Sequence, residues 1–232
     1  MHIIINNMKI GLITYDKPHL KSYQILKGLI KKNKYQIKLL LVKFKKRSKK
    51  KNDHRPHQFK TKSQIKLAKV NNIKSVYFNK KNCLSKIDVA IIGGANLLNY
   101  RIIKKNYILN CHSGLIPQTR GLDSIKWSIY KNELVGNTLH YIDQSVDKGN
   151  IVCHKITKVY KSDRLSNFYK RHYNNEIKLL INFENFLKKK MNKKNRIIKL
   201  RSKSPTLRMP EKFELKLKDK FEIYKKKFIN YV

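Results

Sequence analysis

The sequence predicts an α/β protein, a mainly parallel sheet flanked by helices with a short helical C-terminal appendage. Three observations predict it. Short runs rich in Ile, Leu and Val alternate with segments whose apolar residues recur every three to four positions. Two of the runs end in small or polar residues, Gly93-Gly94-Ala95-Asn96 and Asn110-Cys111-His112, at the carboxyl ends where parallel sheets collect ligands. In a chain of 232 residues, 41% hydrophobic and 10% aromatic residues supply a core for one domain of ordinary size plus an appendage.

Taken in order, Met8–Tyr15 (MKIGLITY) reads as a buried strand, and Lys17–Lys32 as a helix with Leu20, Tyr23, Leu26 and Ile30 on one face. Tyr35–Phe44 is a second strand. The basic stretch Lys43–Lys51 opens a polar connection that reads as solvated loop or polyanion contact. Ser63–Asn72 is a short helix and Ser75–Phe78 a short strand. Val89–Ile92 and Tyr107–Asn110 are buried strands, and Leu122–Lys131 is a helix. Asn137–Ile142 and Ile151–Val159 are strands. Ser162–Lys190 is one long amphipathic helix, with Leu165, Tyr169, Tyr173, Ile177, Leu180, Phe183 and Leu187 in helical register and Ser162 or Asp163 as its cap. A Lys-rich tail with Pro205 and Pro210 leads to a terminal helix over Lys212–Phe228. Strands separated by helices imply βαβ units.

The formal charge is +41, from 55 Lys and Arg against 14 Asp and Glu. Two readings stand. Lys (46), Asn (23) and Ile (28) dominate, the residues of A/T-rich codons; yet Glu, also A/T-rich, occurs only six times. A polyanion partner is the other reading. Residues 1–100 carry +21 and residues 161–232 carry +15, but residues 101–160 carry only +5. The middle segment escapes the drift, as residues tied to a task or a buried position would.

No apolar run approaches the roughly 18–20 residues of a membrane span, and the N-terminus lacks the pattern of a secretory signal. Three scattered cysteines, Cys83, Cys111 and Cys153, form no disulfide framework and point to the reducing cytoplasm. Cys111, Cys153 and His154 lack the paired spacing of a zinc site, so no metal is expected. Met8 begins so natural a strand that it can be the true start.

The chemistry concentrates in Asn110–Gly121 (NCHSGLIPQTRG) and Gly136–Ile151 (GNTLHYIDQSVDKGNI). An Asn and a His two apart on a strand face the same side, and both can donate to a developing oxyanion. No serine or cysteine triad is set up. Asp147 lies in a Gly-flanked loop, and an Asp near a His stabilises the imidazolium and can relay a proton. These groups suit attack of an amine on a carbonyl carbon.

These residues resemble the folate-dependent formyltransferases, the catalytic domain shared by glycinamide ribonucleotide transformylases, methionyl-tRNA formyltransferases and sugar N-formyltransferases. The resemblance rests on Asn110 and His112, on Leu115, Pro117, Arg120 and Gly121, and on Gly136, Thr138, His140, Asp143, Asp147 and Gly149. It covers roughly residues 8–190 and implies a Rossmann-like catalytic domain over 1–190, with a short basic extension over 191–232.

The resemblance further implies 10-formyltetrahydrofolate as formyl donor, with no metal. Asn110 and His112 would stabilise the tetrahedral oxyanion, and Asp147 would orient His112 and relay the amine proton. The pterin would lie along Ala95, Asn96, Leu97 and Leu98 and along His140, Tyr141, Ile142 and Asp143. His140 alone also reads as a packed core histidine, and Asp143 as a loop cap. Arg120, Gly121 and Trp127 would face the acceptor, although Trp127 reads equally simply as core or rim.

The acceptor is expected to be the amino group of a nucleotide-linked amino sugar, as in lipopolysaccharide biosynthesis. Methionyl-tRNA formyltransferases usually carry Gly-Ala-Ala-Pro where this chain has Gly121-Leu122-Asp123-Ser124, and a longer basic barrel. Nucleotide-type transformylases usually have Pro-Gly in place of Arg120-Gly121. A tRNA or small-amine formyltransferase and a formyltetrahydrofolate hydrolase are the alternatives; a non-catalytic nucleic-acid-binding protein is a distant third, opposed by the intact Asn110, His112 and Asp147. The short tail can cover the acceptor cleft or support a homodimer. Gly114 and Cys111 depart from the usual Ser and aliphatic residue without removing a catalytic group.

Overall fold

The computed structural model describes residues 7–45, 53–78, 83–95, 98, 107–143, 149–191 and 197–231. The chain packs as two units, Met1–Asn52 with Pro56–Asn110, and Asp53–Arg55 with Cys111–Val232. The first contains β1 (Met8–Tyr15), α1 (Leu20–Lys31), β2 (Tyr35–Val42), α2 (Gln64–Val70), β3 (Ser75–Tyr77), β4 (Val89–Ile92) and the start of β5 (Ile108–His112). The second takes up β5 at Cys111. It continues through α3 (Ser124–Tyr130), β6 (Gly136–Tyr141), β7 (Ile151–Ile156), α4 (Leu165–Ile181), α5 (Phe183–Met191), α6 (Glu211–Glu214) and α7 (Leu217–Phe228).

In the first unit the strand order is β3-β2-β1-β4-β5, and all four neighbouring pairs are parallel. β1 aligns Met8 with Tyr35 through Tyr15 with Val42 on one side, and Ile10 with Val89 through Ile13 with Ile92 on the other. A strand covered on both faces needs apolar residues at consecutive positions, and Ile10, Leu12 and Ile13 are fully buried. Ile25, Leu26 and Leu29 of α1 are buried too, at the spacing that puts them on one stripe. The carboxyl end of β1 is tied to α2 by a buried amide: Gln64 donates to Thr14 Oγ1 (3.0 Å), Tyr15 O (2.8 Å) and Lys17 O (2.9 Å) and accepts from His19 N (3.0 Å).

In the second unit the order is β5-β6-β7, and β6 and β7 are antiparallel, with a register shift between Leu139 and His140. Its core joins Ile125 and Ile129 of α3, Phe168 and Tyr169 of α4, and Leu217, Phe221, Tyr224 and Phe228 of α7. The C-terminal helix therefore supplies core residues. The Tyr224 hydroxyl also accepts the Val135 amide at 3.2 Å, which satisfies both groups in a dry setting.

Three local expectations fail. The long helix over Ser162–Lys190 is two helices, because Asn182 leaves helical geometry (φ −104°, ψ 22°) while the apolar period runs on through Phe183 and Leu187. Neither Ser162 nor Asp163 caps it: Arg164 is the N-cap and no side chain bonds there. Asp163 instead accepts from Tyr160 N at 2.8 Å and holds the Arg171 guanidinium through two bonds of 2.6 and 2.7 Å. Burial alone would raise its carboxyl pKa, but the Arg171 and Tyr160 hydrogen bonds hold it below the usual carboxylate range. The terminal helix is likewise split, into α6 and α7.

Phe221 is 1% exposed and packs on Phe168 and Tyr224, with ring centroids 5.2 and 6.1 Å away. Phe221→Ala is expected to destabilise the protein by about 3–5 kcal/mol, read from chemical denaturation. An unchanged midpoint would show that α7 adds nothing to this core.

Candidate active site

β5 runs two residues beyond its expected end, so Asn110 and His112 lie on one strand and on one side of it. Asn110 is half-buried and His112 is 8% exposed. His112 Nε2 lies 2.9 Å from Thr119 O and 3.1 Å from Ser124 Oγ. A carbonyl only accepts, so Nε2 carries the proton and donates to it. Ser124 Oγ in turn donates to Gly121 O at 3.1 Å. Nε2 is thereby committed to this turn.

The turn is held at several points. Thr119 N donates to Leu115 O (2.8 Å), and Thr119 Oγ1 accepts Leu115 N (2.9 Å). Thr138 Oγ1 on β6 donates to Gly114 O (2.7 Å) and accepts Ile116 N (3.0 Å). The peptide bond between Ile116 and Pro117 is cis. Gly114 belongs here for lack of space: a Cβ would stand 2.8 Å from His112 Nε2 and 2.8 Å from Ser124 Cβ.

Behind His112 lies a buried polar layer that sequence reading missed. Arg55 Nη2 donates to Ser113 Oγ at 2.9 Å and lies 3.4 Å from Glu176 Oε2, whose side chain is 1% exposed. His172 is fully buried, its Nδ1 2.8 Å from Thr157 Oγ1 and its Nε2 3.3 Å from Asn137 Nδ2. Desolvation dominates and lowers its pKa to about 4, with the Arg55 charge pulling the same way and Glu176 opposing. His54, against the Tyr169 ring, is lowered to about 2, again mainly by burial. Arg55 sits in a basic connection that reads as solvated loop, and its partner Glu176 is 121 positions along the chain. Only the appearance of Arg55 beside His54 in that loop hints at a task.

The residues expected to face the acceptor are engaged by the C-terminal segment. Arg120 is 7% exposed and its Nη2 donates to Lys203 O at 2.7 Å. Gly121 has φ +91° and bridges Thr206, and a side chain there would strike the Thr206 backbone. Trp127 Nε1 donates to Leu207 O at 2.8 Å, and its ring packs on Tyr130 and Phe213.

Of the residues expected at the folate, Ala95 O accepts the Tyr15 hydroxyl at 2.8 Å and Leu98 is half-buried. His140 is 1% exposed on β6, and its Nδ1 lies 3.1 Å from Tyr141 O. Tyr141 and Ile142 are half-buried and Asp143 is exposed. Asn96, Leu97 and Asp147 lie outside the described residues. His154 is a structural clamp: Nε2 meets Ile116 O and Nδ1 accepts Ile198 N, both at 2.9 Å. Among the described residues no group of His, Cys, Asp or Glu could hold a metal ion, and no helix is long and apolar enough to cross a membrane.

Gly114→Ala is expected to push His112 off its bond to Thr119 and to cost about 1–3 kcal/mol, seen as a shifted imidazole resonance and a lower denaturation midpoint. The buried histidines make a second prediction. The folded pKa of His172 lies below its unfolded value, so the unfolded chain binds the proton first. The stability it contributes is whole above pH 6.5 and is lost as pH falls towards 4. The full loss is roughly 3 kcal/mol. His172→Gln should flatten the stability profile between those limits, and an unaltered profile would remove His172 as its source.

Comparison with known proteins places this geometry. Residues 26–183 match the formyl transferase family. A methionyl-tRNA formyltransferase from Prochlorococcus marinus (strain MIT 9215) is 30% identical over 86 residues, 37% of this chain but only 26% of that protein. A formyltransferase from Anoxybacillus kamchatkensis, solved in complex with UDP-4,6-dideoxy-4-formamido-L-AltNAc and tetrahydrofolate, aligns with 97% of this chain and 100% of its own, at 21% identity and a TM-score of 0.57. The phosphoribosylglycinamide formyltransferase of Anaplasma phagocytophilum aligns with 73% of this chain and 81% of its own, at 17% identity and a TM-score of 0.53. These two likenesses speak to the fold. The family match covers more than half the chain and includes the strand that carries Asn110 and His112, and on it the chain belongs to the formyl transferase family.

Proposed function

We propose that this protein transfers the formyl group of 10-formyltetrahydrofolate to the amino group of a nucleotide-linked amino sugar. The observation that carries the reading is the placement of Asn110 and His112 on one side of the end of β5, with the His112 ring held from behind by Thr119. An amine attacking the formyl carbon builds negative charge on the formyl oxygen. The Asn110 amide and a protonated His112 would meet that charge with donors already in place, the arrangement that lowers such barriers most. Asp147 would take up the amine proton. Ala95, Asn96, Leu97, Leu98, His140, Tyr141, Ile142 and Asp143 would border the folate. Residues 1–190 would act as the catalytic domain and 191–232 as an extension, in a cytoplasmic enzyme.

The sugar reading is supported by a full-length likeness to a formyltransferase solved with a formylated nucleotide sugar. An N-formyltransferase from Helicobacter canadensis, solved with folinic acid and dTDP-3-aminofucose, also aligns with 94% of this chain. The Prochlorococcus match favours methionyl-tRNA as a second reading, but over a quarter of that protein only.

His112→Ala is expected to lower formyl transfer a hundredfold or more while tetrahydrofolate binding stays within twofold of wild type. A screen of nucleotide-linked amino sugars, methionyl-tRNA and glycinamide ribonucleotide with 10-formyltetrahydrofolate reads the acceptor directly. Transfer to tRNA alone would replace the sugar reading, formyl release without an acceptor would indicate hydrolysis, and wild-type rates in the variant would overturn the mechanism.

A further inference from the structure

Asp53–Arg55 belong to the second unit, although the residues on either side of them belong to the first. The excursion brings Arg55 to Ser113, the residue after His112. Arg55 Nη2 donates to Ser113 Oγ at 2.9 Å and stands 3.4 Å from Glu176 Oε2. The Arg55 side chain is 27% exposed and that of Glu176 only 1%. His172, one turn before Glu176 on α4 and 2% exposed, is acted on by the Glu176, Arg55 and His112 charges and by the Ser113 backbone. Its ring is fixed in turn by Thr157 and Asn137. Segments far apart in the chain thus meet at the residue next to the imidazole.

Stability is a poor reason for the Arg55–Glu176 pair. Desolvating a buried carboxylate offsets much of the attraction, and apolar residues of the same volume often stabilise a core as well or better. The chain has 14 acidic residues, and one of them is buried here. What such a pair holds well is orientation. The guanidinium is planar and rigid, so a fixed carboxylate restricts where its N–H groups point. Glu176 is fixed because α4 buries Phe168, Tyr169, Tyr173 and Leu180 along with it. Thr119 and Ser124 hold the His112 ring at Nε2. The ring also needs its main chain held, because side-chain rotamers place it only relative to the backbone.

We propose that Arg55, held by Glu176, is a positioning residue for formyl transfer: it fixes the Ser113 hydroxyl and, through it, the main chain that carries His112. The proposal rests on the formyl-transfer reading for its kinetics, but not for its structural readout.

A double-mutant cycle on the full chain tests it, with the amine that the acceptor screen returns. Arg55→Ala and Ser113→Ala are each expected to lower kcat about tenfold to a hundredfold, as a small misplacement of a reacting group does. The KM for 10-formyltetrahydrofolate should stay at the wild-type value. The double variant should fall no further than the slower single variant, since both break one link. Ser113→Thr keeps the hydroxyl and should restore most of the rate. Ser113→Ala removes only a hydroxyl at a half-buried position, so with Ser113→Thr it carries the kinetic test should Arg55→Ala fail to fold. The readout that needs no substrate is the side-chain NMR signal of the His112 imidazole. It should shift in Arg55→Ala and Ser113→Ala and return towards wild type in Ser113→Thr. Wild-type kcat in Ser113→Ala, additive losses in the double variant, or an unmoved His112 signal in Ser113→Ala would overturn the positioning role. A wild-type chain that formylates no acceptor would overturn the reading of the reaction instead, and the imidazole signal would then decide the link from Arg55 to His112 by itself.

Discussion

The bond from His112 Nε2 to the Thr119 carbonyl sets the orientation of the imidazole proposed to meet a formyl oxygen, and much of the second unit serves to keep it. The carbonyl can hold the ring only if residues 115–119 stay closed, which the Thr119 hydroxyl and amide ensure through Leu115. The ring fits only because residue 114 has no side chain. Thr138 pins the Gly114 carbonyl from the neighbouring strand, and Arg55 pins the Ser113 hydroxyl. Each contact is a modest hydrogen bond worth about 1 kcal/mol net. Their joint effect is preorganisation, since a donor that need not move when charge develops does not spend energy on reorienting.

Carboxylates are scarce in this chain, 14 against 55 basic residues, and several of them tie segments distant in sequence. Asp163 joins the loop before α4 to Arg171 and, through its carbonyl, to Lys225 of α7. Glu214 reaches Lys126 of α3, and Glu133 reaches Lys203. Glu176 pairs with Arg55 beside the turn that holds His112. Among the described residues the lysines lie mostly at exposed positions, where a charge costs little to solvate. Every buried cation in these pairs needs its acid, because an unpaired buried charge is costly. Lysine drift is thus tolerated up to the point where it meets the core.

The parallel strands and the strand end bearing Asn110 and His112 were legible because their signals are local: apolar runs, period-two alternation and polar residues at the ends. The break at Asn182 was not, since the apolar stripe continues across it and periodicity cannot see one residue leaving helical geometry. The role of Asp163 was misread for a related reason. It has the right identity and place for a cap, but Arg171 two turns into the helix offers a bidentate partner that outcompetes backbone amides. Thr119 and Ser124 fall within or beside the family motif yet look like filler until the turn closes on His112. The pairing of Arg55 with Glu176 carries no sequence signal, because only the fold brings positions so far apart into contact.

Arg120 and Trp127 join the two halves of that lesson. The resemblance implies that both face the acceptor, and both donate to backbone carbonyls of residues 203–207. Gly121, between them, is held by Thr206 at a φ that ordinary residues avoid. The segment following the family match at residue 183 therefore shapes the very stretch that would face an acceptor. A domain that shares its formyl-transfer chemistry across different amines has to draw selectivity from outside the shared residues. Here the C-terminal segment is physically coupled to Arg120, Gly121 and Trp127, so substitutions at Lys203–Leu207 would reach the acceptor side through these contacts while leaving the His112 turn, held separately by Thr119 and Thr138, in place.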